Sequence, residues 1–590
     1  MSLLQSTLTA SFGAVRHYTW RKCRSDMVAG LTVTAVEIPQ SMAYAMVAGL
    51  PPQYGLYTSF IQGILGPLLS SSEHLLSGPT NTQALLVAAT VSRIAGTDPA
   101  QYLALVVALT LLKGICQTFF GLAQLGSMVR YVSRAVFAGV AAGAGLLIIF
   151  GQLPAFLGIT PAPGAGAGVS GMPGVASDLW QLGSAIGQTN WRAVSLGFFC
   201  IITVVGLRRL SRFIPGAFIA VVGTALIVFF AGWTSGQVDL IGAIPGALPS
   251  FVVPQLSGKV AESLIGGALA LAVMGMLESV VIVKSIAAKT GERIDANQEF
   301  VAQGLKNIVS SFFQCMPGSG SFSRSAMAFA AGAQTRFAGV SNAIFIAIVA
   351  VLFSAEAQYI PRVCLAALLL VISLDLIDIQ YIRRILRSNR QDALVCLTTI
   401  LATLLAPLQY AIFIGVFINL ALYIRQTSQL HMAEMVPLTG GKFIEKPLKL
   451  RSGEHSVTLV QVEGDLFFGV ADELQDRLIE LERSSVRVAI FRLKRSHSID
   501  STVMNVLERF IRDMHRNDRH VILCGVQSEL LHALTAYGLL DLLGKDNVFA
   551  TGEGVFVSVK LAIERARKLL GGSIDAVGID LDDDELTYEI

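Results

Sequence analysis

Between residues 26 and 425, apolar stretches of roughly 15 to 24 residues follow one another with little between them. A helix needs about 20 apolar residues to cross a bilayer, so this recurrence dictates a polytopic membrane protein. Fourteen candidate spans fall near 28–47, 54–70, 79–95, 100–123, 135–151, 191–207, 214–232, 260–283, 298–314, 322–333, 337–355, 361–377, 392–406 and 408–425. The third and tenth are short or polar at their start. With the N-terminus in the cytosol, the inner loops of this arrangement hold seventeen Lys and Arg residues and the outer ends four. That asymmetry is the positive-inside pattern and orients the chain. An even number of spans returns the C-terminus to the cytosol. The expected location is the cell membrane, and for a bacterial chain the inner membrane.

Charged residues make up only 14% of the chain, against about 25% in a soluble protein. A net charge of +3 gives no nucleic-acid surface. The seven cysteines are scattered without a CxxC pair, which excludes a disulfide framework and a metal site on spacing. No cofactor is expected. Residues 1–25 are polar and basic, and read as a cytosolic segment rather than a cleavable signal.

After Arg425 the pattern changes. Residues 426–450 read as a mixed polar linker. Short β-branched runs such as 457–464, 486–493 and 520–526 then alternate with helical periods. This predicts a small soluble α/β domain over 451–570. The tail 571–590 holds seven acids and no base, the pattern of a solvated end. The Gly/Pro/Ala-rich stretch 161–176 reads as a flexible outer loop.

Four membrane segments carry polar groups that a lipid-facing helix does not need. In 34–57, Pro39 is expected to break the helix in mid-membrane, and Gln40 and Tyr44, four residues apart, share a face; a packing kink is the alternative. In SGPTNTQALL (77–86), Gly78-Pro79 ends an extended stretch, and Thr80, Asn81 and Thr82 open a helix. In PGSGSFSRSAMAF (317–329), a Gly/Ser stretch becomes helical near Phe322. Both places put helix N-termini, with unpaired N–H groups and a positive dipole end, inside the membrane, as an anion site requires. Paired broken segments in corresponding halves point to a transporter site. Arg324 adds a fixed positive charge there and calls for an anionic partner or ligand, unless it lies in a cytosolic loop. In MGMLESVVIVKS (274–285), Glu278 is a carboxylate within an apolar span. It suits a proton carrier. An ion pair with a neighbouring helix and a Na⁺ ligand are the other readings.

The stretch DMVAGLTVTAVEIPQSMAYAMVAGLPPQYGLYTSF resembles the first two spans of the SulP sulfate-permease family, bacterial relatives of solute carrier family 26. SGPTNT resembles its third-span motif, MLESV its eighth-span acidic position and SFSRS its tenth-span Ser-Arg motif, while the C-terminal segment is similar to a STAS domain. The resemblance implies an all-α polytopic membrane domain of about fourteen spans with a 7+7 inverted repeat and two broken helices, followed by a small α/β STAS domain. It implies a core of spans 1–4 and 8–11 moving against a gate of spans 5–7 and 12–14. The anion then lies between the N-termini of spans 3 and 10, near Gln40, Tyr44, Thr80, Phe322, Ser323 and Arg324. Some relatives carry an aromatic where Thr80 stands. In the STAS segment, Asp500-Ser501-Thr502 stands where anti-anti-sigma relatives have a phosphorylatable Asp-Ser motif, but Val503 replaces the glycine that often follows. Ser501 is thus either a regulatory phosphorylation site or, with Asp500, a helix N-cap. Family analogy also implies a homodimer.

The expected function is secondary active transport of a small inorganic anion, sulfate first, driven by H⁺. The alternatives are Na⁺-coupled bicarbonate or dicarboxylate transport, and an uncoupled exchanger or channel. A channel has no use for a coupling carboxylate at Glu278. A membrane enzyme needs a reactive cluster at membrane depth, and none of the eight histidines falls inside a candidate span.

Overall fold

The computed structural model describes residues 18–95, 98–126, 133–159, 183, 185–211, 214–234, 236–242, 244–292, 294–428, 430–438, 442–447, 456–496, 498–552, 557–571 and 587–588. The loop 161–176 lies outside them, as do most of 1–25 and of the tail 571–590. The chain divides into two compact units, Met1–Leu420 and Ala421–Ile590.

Each apolar stretch of the first unit carries a helix. In the first half these are α1 (Trp20–Val47), α2 (Gln53–Leu69), α3 (Asn81–Val91), α4 (Pro99–Leu122), α5 (Arg134–Phe156), α6 (Trp191–Leu210) and α7 (Gly216–Ala231). In the second they are α8 (Gly258–Thr290), α9 (Ala296–Ser311), α10 (Phe322–Ala330), α11 (Phe337–Leu352), α12 (Arg362–Leu376), α14 (Arg390–Leu405) and α15 (Leu408–Thr427). A further helix, α13 (Ile379–Ser388), occupies what read as an inner loop. Among the described residues, five helical segments are long and apolar enough to cross a membrane. Two others are short because extended chain precedes them. The strands β1 (Ser77–Gly78) and β2 (Ser319–Gly320) lead into α3 and α10.

Side-chain caps start several of these helices. Thr19 accepts from the Lys22 N–H at the head of α1, and Asp98, ahead of Pro99, accepts from the Ala100 N–H at 2.9 Å. Each satisfies an N–H that the helix itself leaves free. The expected break at Pro39 does not occur: α1 runs through it to Val47. Proline removes one donor, so the cost falls on a single helical turn and the flanking turns hold the axis.

Most helix packing falls in two groups: α1–α4 pack with α8–α11, and α5–α7 with α12 and α14, while α1 also packs against α7 and α12. Close approach comes from small residues, the usual device where lipid gives no hydrophobic drive for helix association. On α9, a Cβ added at Gly304 would lie 2.2 Å from Thr118 Oγ1 of α4.

The second unit is a seven-stranded sheet of order β8-β7-β6-β5-β3-β4-β9. Its strands are β3 (His431–Leu438), β4 (Lys442–Pro447), β5 (Val457–Glu463), β6 (Val488–Arg495), β7 (His520–Val526), β8 (Val548–Ala550) and β9 (Thr587–Tyr588). β5 to β8 are parallel. One face is covered by α16 (Ala471–Arg483), α17 (Ser501–Arg516), α18 (Ser528–Tyr537) and α19 (Leu539–Leu543). The other packs on α20 (Val557–Leu569). Within the supposed linker 426–450, His431–Leu438 and Lys442–Pro447 are strands of this sheet. β3 and β4 form a hairpin, and β3 also pairs antiparallel with β5. The reason is period-two burial: Ala433 and Met435 point into the core while Met432 and Glu434 are half-exposed.

Candidate functional site

The two breaks meet. β1 and β2 pair antiparallel, Ser77 opposite Gly320 and Gly78 opposite Ser319. Thr80 then caps α3 and Ser321 caps α10, and neither cap side chain accepts from a backbone N–H of its own helix. Two helix N-termini therefore issue from one short ladder, with N–H groups left for a ligand.

Glu278, on α8, closes one side of this crossing. It accepts from the hydroxyls of Thr82 and Ser319 and, at 3.4 Å, Thr80. The carboxylate expected to stand alone among apolar neighbours thus has three hydroxyl donors, from both broken segments. Asn81 turns inward on its own helix, where its Oδ1 accepts from the Thr82 N–H at 2.7 Å.

Arg324 is buried on the other side. Its guanidinium pairs with Glu37 of α1, each side chain 1% exposed, and its Nη2 donates to the Pro79 carbonyl at 2.8 Å. Glu37 is in turn held by Asn342 Nδ2 at 2.7 Å, and Thr34 donates to Asn342 Oδ1 at 2.9 Å. The arginine is thus inside the fold rather than in a cytosolic loop, and its anionic partner is a side chain. A Cβ at Gly78 would sit 2.6 Å from Arg324 Nη1 and 3.0 Å from Glu37 Oε1. Only glycine lets the pair cross the strand.

The other expected residues lie around the ladder without bonding to one another. Tyr44 is buried, and Gln40 of the same face presents a buried Oε1 with no partner. Phe322 and Ser323, in the first turn of α10, are exposed. Ser501 opens α17 and is exposed, while Asp500 is the cap, accepting from the Val503 N–H at 2.9 Å.

Sequence reasoning missed a second polar layer. Lys113 Nζ donates to Gln83 Oε1 at 2.7 Å and to the Gly318 carbonyl at 2.6 Å. Lys306 Nζ donates to Ser77 Oγ. Asn307 accepts from the Gly318 N–H at 3.1 Å and donates to Gln117 Oε1 at 3.1 Å. Both lysines are fully buried. Lys113 ties α4 to the Gly318 carbonyl just before β2, and Lys306 ties α9 to the Ser77 hydroxyl of β1. The available signal was the same one that marked Glu278, a charged residue inside an apolar run. Among the described residues, no group of His, Cys, Asp and Glu is placed to hold a metal ion.

Residues 23–399 match the sulfate permease family and residues 451–554 match the STAS domain. Sulfate transporter 4.1, chloroplastic, of Arabidopsis thaliana is 27% identical over 567 residues, which cover 92% of this chain and 81% of that protein. The murine Solute Carrier 26 family member A9 anion transporter, in its inward-facing state, superposes with a TM-score of 0.84 at 19% identity, over 95% of this chain and 94% of that one. The transmembrane domain of a cyanobacterium bicarbonate transporter, BicA, superposes with a TM-score of 0.60 at 21% identity, over 68% and 98%. The membrane fold, the STAS domain and the family match agree: this chain belongs to the sulfate permease family and is a multi-pass membrane anion transporter with a C-terminal STAS domain.

Proposed function

We propose that this chain is a secondary active carrier of a small oxyanion, sulfate first, coupled to H⁺. The observation that carries the reading is the β1–β2 ladder, which aims two helix N-termini without side-chain caps at one place. The anion docks there. Thr80, Asn81, Phe322 and Ser323 stand at the two first turns, and Gln40 and Tyr44 come from α1. Arg324, through its charge, sets the local potential. Substrate moves with α1–α4 and α8–α11 against the remaining spans, in an elevator-like stroke of a 7+7 repeat with fourteen spans across a bacterial inner membrane. Both termini are cytosolic, and the carrier is a homodimer. The transport domain is 26–425. Ser501 is a candidate for regulatory phosphorylation, being exposed at the start of α17.

Glu278 is the coupling group in this reading. It sits against the same two segments that hold the anion, so neutralising it with a proton lowers the charge that crosses with the substrate. Its all-oxygen surroundings of Thr80, Thr82 and Ser319 favour a second reading, Na⁺ coupling, with bicarbonate or a dicarboxylate as cargo. An uncoupled exchanger remains the third.

Uptake of labelled sulfate and bicarbonate into proteoliposomes, under an imposed pH gradient or an imposed Na⁺ gradient, tests this. Stimulation by inward acid supports H⁺ coupling. Stimulation by Na⁺ at constant pH moves the assignment to the second reading. No response to either gradient removes Glu278 as a coupling group.

A further inference from the structure

α13 follows α12 directly and was not expected from the apolar pattern. It is short, capped by Asp378, whose Oδ1 accepts from the Tyr381 N–H at 2.9 Å. Its sequence IQYIRRILRS is sharply two-faced. Ile382 and Ile385 lie on one side, with Ile385 buried and Ile382 half-buried, while Arg383, Arg384 and Arg387 project from the other. Arg390 follows at the start of α14 and is exposed as well.

Two further facts set this helix apart from an ordinary basic loop. First, the acids nearest in sequence are engaged elsewhere: Asp375 pairs with Arg208 at 2.5 Å, Asp378 with Arg134 at 3.6 Å, and Asp392 accepts from Asn389 Nδ2 at 3.0 Å. Among the described residues, none of the four arginines has a carboxylate partner. Second, Ile379 and Leu386 leave an apolar edge in the open, 67% and 49% exposed, beside the Arg383 side of the helix. Leu374, at the end of α12, is 61% exposed as well. An apolar edge bordered by unpaired arginines is the pattern of a helix lying in the bilayer interface.

We propose that α13 is a binding site for anionic phospholipid headgroups of the leaflet it faces. Ile379 and Leu386 enter the acyl boundary, and Arg383, Arg384, Arg387 and Arg390 hold the phosphates. Guanidinium matches phosphate with a planar fork of donors, and the attraction to an anionic surface grows with each arginine near it. The inference rests on the membrane fold and not on the substrate, so it stands apart from the coupling reading.

The test uses the full-length protein, reconstituted in phosphatidylcholine alone or mixed with phosphatidylglycerol. The phosphatidylglycerol retained after gentle extraction is counted by native mass spectrometry. Joint Arg383→Gln, Arg384→Gln, Arg387→Gln and Arg390→Gln should lower that retention about tenfold or more. Replacing the same four by lysine should keep most of it. A control loses equal charge in the soluble domain, at Arg477, Arg487, Arg512 and Arg516, and should retain the wild-type amount. Leu386→Ser, which leaves all four arginines, should also weaken retention, which separates a lipid from a free phosphate; glycerol phosphate added to the wild type should not displace the lipid. Unchanged retention in the four-glutamine variant, or an equal loss in the control, overturns the proposal. If that variant does not fold, loss of retained phosphatidylglycerol from the wild type as salt rises supports it, and salt-insensitive retention overturns it.

Discussion

Glu37 and Arg324 lie 287 residues apart in sequence and form an ion pair whose side chains are both 1% exposed. Breaking a buried pair by removing one partner costs about 3–5 kcal/mol, because the other charge is left without compensation. Removing both together costs far less. Glu37→Gln and Arg324→Gln should therefore each lower thermal stability sharply, and the double variant should recover much of the loss. A double-mutant cycle on the purified carrier measures this. Additive losses would mean that the two residues act separately.

The same cycle reports on the anion. With Glu37 gone, Arg324 sits at the ladder without its carboxylate partner. Glu37→Gln should then bind sulfate more tightly than wild type and become stabilised by added chloride. A sulfate affinity that falls instead would show that Glu37 orders the site rather than neutralising it. Arg324→Ala should weaken sulfate binding, and Arg324→Lys should restore it only in part, since an ammonium cannot reproduce the fork that spans Glu37 and the Pro79 carbonyl.

Gly78→Ala should act through the same pair. The added methyl has 2.6 Å to Arg324 Nη1, less than any normal contact, so the arginine or the strand must shift. Overpacking of this kind costs about 1–3 kcal/mol. Transport should fall together with stability. A Gly78→Ala carrier with wild-type melting and uptake would place the guanidinium elsewhere.

At the ends of the helices, His74 Nδ1 lies 2.6 Å from Glu292 Oε1. Burial opposes charging of the imidazole, but the hydrogen bond and charge of Glu292 outweigh it and raise the His74 pKa. Burial likewise pushes Glu292 up, and His74 outweighs it, holding the carboxyl below its ordinary value. A histidine with a raised pKa stabilises fully below its unfolded value of about 6.5, and that stability is lost as pH rises through the folded value. The carboxylate contribution is present above about pH 4.3 and is lost as pH falls through its depressed folded value. Melting measured across pH should thus show a mildly acidic optimum in wild type that His74→Ala flattens. An unchanged profile in the variant would dismiss the pair as a source of pH dependence.

Truncation separates the two units only at the right place. Ending the chain after Thr427 removes the whole sheet and leaves the β1–β2 ladder and every helix of the first unit. Such a carrier should bind anion with near wild-type affinity. Ending it at residue 440 keeps β3 but deletes both of its partners, β4 and β5. An unpaired strand is a template for association, so this version should aggregate, which size-exclusion chromatography detects. Loss of anion binding in a monodisperse protein ending at Thr427 would mean that the second unit shapes the site.

The helices of the first unit were legible because each requires only a local apolar run. The broken segments were legible for a similar reason: Gly78-Pro79 and the Gly/Ser stretch before Phe322 stop and restart a helix within a few residues. What the sequence could not state was which polar groups meet. Glu37 sits in TAVEIPQ much as Glu278 sits in MLESV, yet its role depends on α1 lying against α10, a relation between distant segments. Lys113 and Lys306 were overlooked because their apolar neighbours dominated the reading of α4 and α9. α13 was hidden by its arginines, which counted as loop charge and not as one face of a helix. β3 reads as linker in the sequence because its alternation is short and carries the half-exposed Glu434.

The ladder between the two halves is only two residues long on each strand, yet its antiparallel pairing makes the mouth of α3 and the mouth of α10 a single buckle. Opening it would strand buried backbone groups, and Lys113 and Asn307 hold Gly318 on one strand while Lys306 holds the Ser77 hydroxyl on the other. On the proposed docking, an ion seated there is not released by spreading its two holders apart, and water access from one side or the other is to be sought in the neighbours of this buckle and not within it.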